Sequence, residues 1–129
     1  MQLSDEIKAA LDEKVFVHLA TLMPDGSPQV SVIWIGRDGD TILFSTAEGR
    51  VKTNNIRNDG RVALSFTTTG DDYRNYVLKG TVTRFEPDGF WLIDDLASKY
   101  MGTEKYEWAT PGQIRVNGEI EIDSVGVNH

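Results

Sequence analysis

The sequence predicts a mainly β domain: a small closed barrel carrying three short helices. Three observations lead there. The chain holds six or seven short runs in which apolar and polar residues alternate, each run ends at a turn signal, and strands do not alternate regularly with helices as in a βαβ sheet.

In chain order, Ser4 is placed to cap a helix over residues 4–14. Asp5 and Glu6 stand in its first turn, where negative charge suits the helix dipole, and Ile7, Ala10 and Leu11 share one face. Val15 to Leu22 is β-rich and stops at Pro24-Asp25-Gly26, where Pro presets φ and Gly accepts a positive φ. Pro28 to Ile35 resumes as a strand, so residues 15–35 form a hairpin. The turn Arg37-Asp38-Gly39-Asp40 leads into a strand from Thr41 to Ser45, with Ile42 and Phe44 on its apolar side.

Ala47-Glu48-Gly49 reads as a loop, and a short helix follows, with Arg50 and Lys52 at its start. Gly60 stands where a C-cap glycine belongs. Arg61 to Thr68 is the next strand, alternating Val62, Leu64 and Phe66 inward. Gly70-Asp71-Asp72 turns the chain into a long strand from Tyr73 to Phe85, in which Gly80 predicts a bulge or bend. Pro87-Asp88-Gly89 opens a helix over residues 90–101, with Leu92 or Ile93, Leu96 and Tyr100 at helical spacing and Gly102 closing it. A loop over 103–112 holds Trp108 and Pro111. Gln113 to Ile122 ends the fold as a strand with Ile114, Val116, Gly118, Ile120 and Ile122 inward.

At 129 residues the chain predicts one domain, 1–129, with no internal repeat or linker. It has no cysteine, which excludes a disulfide framework, a thiolate nucleophile and a Cys-based metal site. A cytoplasmic location is expected, since residues 1–20 lack a signal-peptide pattern and no apolar run approaches membrane-spanning length. The net charge of -7 argues against a nucleic-acid partner. On that acidic background Arg50, Lys52, Arg57 and Arg61 form a local basic cluster, suited to focusing a small anion. Arg50 and Lys52 at a helix N-terminus, beside unpaired N–H groups, make a candidate phosphate site. The alternative is a solvated basic turn.

Side-chain chemistry is otherwise sparse. His18 lies in a strand and His129 ends the chain, so nothing pairs them. No catalytic triad, metal-binding His motif, Walker A loop or GxGxxG occurs, and no catalytic residue or metal site is assigned. Asp94-Asp95 are adjacent on a helix and point to different faces. Trp34, Trp91 and Trp108 are expected in the core or an interface, with Trp34 kept as a candidate because it ends the hairpin strand beside the proposed site. An anion-binding loop without a nucleophile or metal site points to an organic cofactor that carries the reaction.

Two stretches carry a family resemblance. Leu19-Ala20-Thr21-Leu22 with Asp25-Gly26-Ser27-Pro28-Gln29-Val30-Ser31 resembles the opening hairpin of the split β-barrel flavoproteins related to pyridoxamine 5′-phosphate oxidase. Arg50-Val51-Lys52-Thr53-Asn54-Asn55 with Asp59-Gly60-Arg61 is similar to their phosphate-loop motif. The match is nearest to the short branch that uses the deazaflavin coenzyme F420, while relatives of similar length bind FMN.

The resemblance implies a split β-barrel of the FMN-binding type and a homodimer with cofactor sites at the subunit interface. It implies that Arg50, Val51, Lys52 and Thr53 hold the cofactor phosphate, that Gln29, Val30 and Ser31 line the ring, and that Ser45 and Thr46 face the same pocket. Tyr73, Asn75 or Trp108 would complete the partner's site. Arg57, with Arg61, is expected to supply charge toward the glutamate tail of F420. The chain lacks the long C-terminal substrate segment of the true oxidases, with its Arg-x-His pattern, which argues against vitamin B6 oxidation. The expected activity is hydride transfer between deazaflavin, or FMN, and a small conjugated organic substrate. The rivals are a non-catalytic flavin- or haem-binding barrel and a barrel with no small ligand.

Overall fold

A computed structural model describes residues 1–128. Ten elements follow one another: α1 (Asp5–Asp12), β1 (Val17–Leu22), β2 (Pro28–Ile33), β3 (Gly36–Asp38), β4 (Thr41–Ala47), α2 (Val51–Asn58), β5 (Arg61–Thr68), β6 (Asp71–Pro87), α3 (Trp91–Met101) and β7 (Arg115–Asn128). The strands form one antiparallel sheet in the order β2-β1-β5-β6-β7-β4-β3. The sheet curls around a core that includes Leu19, Ile42, Phe44, Leu64, Leu78 and Ile120, and α1 packs into the same core through Ile7 and Leu11. The fold is the mainly β split barrel that the sequence implies.

α1 is capped as expected, with Ser4 Oγ accepting from the Ile7 amide. α3 lies on the outer face of the barrel. Its Leu92, Ile93, Leu96 and Tyr100 pack with Trp34, Leu43 and Tyr106 into a second apolar cluster. The Tyr100 hydroxyl donates to Val15 O and accepts from the Ile35 amide, and Lys99 Nζ donates to Leu11 O and Ile35 O. These bonds fix α3 to the turn after β2, so Trp34 is held in place, stacked on Tyr100 at 5.2 Å.

Three local expectations change. The last strand does not span 113–122: it starts at Arg115 and runs to Asn128, and Ile114 is more than half exposed just before it. The 17-residue β6 offers a ladder over the whole length, so pairing continues through Val125 and Val127. Of two register shifts in this ladder, one falls at Lys79/Gly80, opposite Asp123, and a Cβ on Gly80 would collide with the Glu121 carbonyl, which explains the expected bend. Secondly, Gly36–Asp38 is a short strand on β4 and not only a turn. Thirdly, the α2 C-cap is Asp59 in extended geometry. Gly60 has no positive φ; it permits a close approach to β6, where its carbonyl accepts from the Val82 amide.

Candidate functional site

The site is built around the start of α2. Gly49, at φ 90°, turns the chain out of β4, and Arg50 takes the N-cap position without any side-chain cap bond. The first amides of α2 therefore lack the acceptor that Ser4 gives α1, and they add their dipoles to the cations beside them. The turn is anchored from within. Thr53 Oγ1 donates to Ala47 O at 2.7 Å and lies 3.1 Å from Thr46 Oγ1, and both threonines are fully buried. Asn55 Nδ2 donates to Thr21 Oγ1, which donates to Gln29 Oε1, so a hydrogen-bonded chain ties α2 to β1 and β2.

A cleft of about 190 Å³ opens beside this turn. One side is cationic: Arg50, Lys52 and Arg115, with Ser45 between strands. The other is apolar and aromatic: Val32, Trp34, Ile93, Tyr106 and Trp108. Lys52 is 9% exposed and donates from Nζ to Ser31 Oγ at 3.2 Å. Arg115 is 2% exposed, donates from Nε to Ser45 Oγ and from one Nη to Gln113 Oε1, and lies 5.1 Å from the Tyr106 ring centroid.

Among the described residues, none of these three cations forms an ion pair. Burial, then the charges of Arg50 and Arg115, depress the Lys52 pKa to about 8. Burial, then the charge of Arg50, also lowers that of Arg115. Buried cations without carboxylates are costly unless an anion joins them. The donor set therefore fits an anionic group such as a phosphate, and the basic-turn alternative fails for Lys52, which is not solvated.

The residues named from sequence fall into groups. Arg50, Lys52 and Ser45 line the cleft. Ser31 contacts it through Lys52. Val30 and Val51 are half exposed. The side chains of Thr46 and Thr53 are spent on internal hydrogen bonds, Gln29 accepts one through Oε1, and none of the three lines the cleft.

Arg57 is on the last turn of α2, paired with Glu48 and lying over the Phe85 ring, and it does not line the cleft. Arg61 is paired with Asp59. The expectation that these two extend a basic exit from the site is corrected: each is neutralised by a neighbouring carboxylate. Trp34, kept as a candidate, does line the cleft; Trp108, expected as a contact in the partner's site, lines the cleft of its own chain. Sequence reasoning missed Arg115, Tyr106, Ile93 and Asn55. The available signal for Arg115 was a cation opening the last strand of an acidic chain.

The sequence matches the family described as pyridoxamine 5′-phosphate oxidase over residues 3–123, and the chain belongs to that family. No curated protein matches it. Among solved structures it is similar to one titled F420 reductase, at 27% identity and a TM-score of 0.86, covering 96% of this chain and 98% of that one. A putative pyridoxamine 5′-phosphate oxidase from Listeria innocua shares the fold at 16% identity and TM-score 0.67, covering 95% of each chain. So does HutZ, the haem storage protein from Vibrio cholerae, at 16% identity and TM-score 0.64, covering 99% of this chain and 96% of that one. Among the described residues, no helix is long and apolar enough to cross a membrane.

Proposed function

We propose that the protein is an oxidoreductase that binds the deazaflavin coenzyme F420 and reduces a small conjugated organic substrate. The observation that carries this reading is the uncompensated cluster of Arg50, Lys52 and Arg115 on one side of an aromatic cleft. Arg50 and Lys52, with the uncapped amides of α2, would hold the cofactor phosphate. Trp34, Val32 and Ile93 would exclude water from the ring. When bound, the deazaflavin would supply a hydride to an acceptor carbon, and no side chain is assigned as proton donor.

The choice of deazaflavin over FMN is supported by the near-complete coverage and 27% identity to the F420 reductase. It no longer draws on Arg57 and Arg61, which are engaged elsewhere. We place the site at a homodimer interface. Val30 and Val32, both more than half exposed on the edge strand β2, form an apolar surface continuous with the cleft, and a second copy would cover it.

The test is a titration of purified protein with reduced and oxidised deazaflavin, FMN and haem, followed by absorbance and fluorescence. The deazaflavin should bind most tightly, with its fluorescence quenched. Tighter FMN binding reverses the cofactor assignment, and a Soret band with no hydride transfer favours the haem-binding alternative.

A further inference from the structure

Resting on the reading that Arg50 and Lys52 hold the cofactor phosphate, Arg115 is a third cation with a different set of neighbours. It comes from the start of β7 and not from α2, and it is the most deeply buried of the cations in the cleft. Its Nε and one Nη are held by neutral oxygens of Ser45 and Gln113, so its position is fixed while its charge is not offset. Its guanidinium faces the Tyr106 ring, and that ring makes edge contacts with Trp34 at 6.2 Å and Trp108 at 6.1 Å. Arg115 thus stands where the cationic half of the cleft meets the aromatic half. A ligand packed against these rings can present an anionic substituent to Arg115, which lines the same cleft.

We propose that Arg115 and Tyr106 form a carboxylate-binding subsite, and that the acceptor is a planar conjugated acid whose flat body lies in the Trp34–Trp108 half of the cleft. The single unoffset charge of Arg115 matches a monoanion. A charge-assisted hydrogen bond in a buried setting discriminates strongly against a neutral isostere. The lowered proton affinity of both Arg115 and Lys52 has the same origin, burial first and then the nearby charge of Arg50.

The experiment compares trans-cinnamate with cinnamamide, which has the same shape without the charge. NMR titrations are run on the cofactor-free protein and again with saturating deazaflavin. Wild type should bind cinnamate at least about tenfold more tightly than the amide. Arg115→Gln should reduce that ratio to about one, Lys52→Ala should keep it, and Trp108→Ala, at a site that is 61% exposed, should weaken both probes alike. In wild type the Arg115 Nε–H resonance should shift with cinnamate and not with the amide, a readout that needs no substitution to fold.

A wild-type ratio of one overturns the proposal. So does an unmoved Arg115 resonance. Loss of the ratio in Lys52→Ala with its retention in Arg115→Gln also overturns it, because the acid then occupies the phosphate subsite. Failure of the deazaflavin to bind removes the cofactor reading alone, since the acid-to-amide ratio is measured without cofactor.

Discussion

Lys52 Nζ reaches from the first turn of α2 to Ser31 Oγ on β2, 3.2 Å away, and that bond lies at the wall of the cleft that Lys52 lines. It spans elements that the strand order leaves apart, since β2 is the sheet edge and α2 follows β4. The lysine is held in a geometry suited to an anion, in surroundings that disfavour its charge.

The first prediction follows from that depressed pKa. A bound anion stabilises the charged form, so it raises the Lys52 pKa, and binding above about pH 8 takes up a proton. Affinity for sulfate or for the deazaflavin, whose phosphate is a diester and stays singly charged, should be flat between about pH 6 and 8 and fall by up to about tenfold per unit above it. Calorimetry in buffers of different ionisation enthalpy measures the proton uptake. A flat affinity to pH 10 rules out Lys52 as the titrating contact.

The second concerns Lys52→Met. The side chain is buried, so its removal relieves a desolvated charge. Because the folded state lowers its pKa from 10.5 to about 8, the unfolded chain holds more protons between those values, and wild-type stability should rise with pH across that window. Lys52→Met should abolish that rise, keep or raise the melting temperature at pH 7, and weaken cofactor binding about ten- to a hundredfold. Thermal melts at pH 7, 8 and 10 with a cofactor titration decide it.

The third concerns Thr53→Val, which keeps the shape and removes the hydroxyl bridging Ala47 O and Thr46. Leaving those buried groups unpaired should cost about 1–3 kcal/mol. Cofactor affinity should fall as well, although Thr53 does not line the cleft, because the turn that presents Arg50 and Lys52 loosens. Urea unfolding and a binding titration on the same preparation test both parts.

The fourth is assembly. An obligate dimer through the β2 edge should bury more than roughly 1,000 Å², mostly apolar. Val32→Glu, on a half-exposed position of that edge, should shift the protein to monomer in light scattering and lower cofactor affinity together. A wild-type monomer at micromolar concentration removes the interface placement.

Much of the barrel was legible because period-2 alternation survives wherever one strand face is buried, as in Ile42–Phe44 and Val62–Leu64–Phe66. The β7 boundary was not, because Asp123, Ser124 and Gly126 break the pattern and only the partner strand β6 keeps them extended. In the site, Arg50 and Lys52 were visible as a local run, whereas Arg115 and Tyr106 reach the cleft from over fifty residues away by tertiary packing. Arg57 and Arg61 looked free because a sequence does not show which carboxylate folds back onto which cation. Glu48 lies nine residues before the one, and Asp59 two before the other.

The uncapped start of α2 would couple the binding of an anion to local folding. Eight residues are too few for a helix to persist on propensity, and this one spends its N-cap position on an arginine with no cap bond. An anion oxygen accepting from those amides would act as the missing cap. The amides of Val51, Lys52 and Thr53 would then exchange with solvent fastest among the helical residues of the free protein, and slow sharply on loading. In that sense a bound anion would be the last segment of the fold to arrive, and its concentration would set how often this corner of the barrel is open.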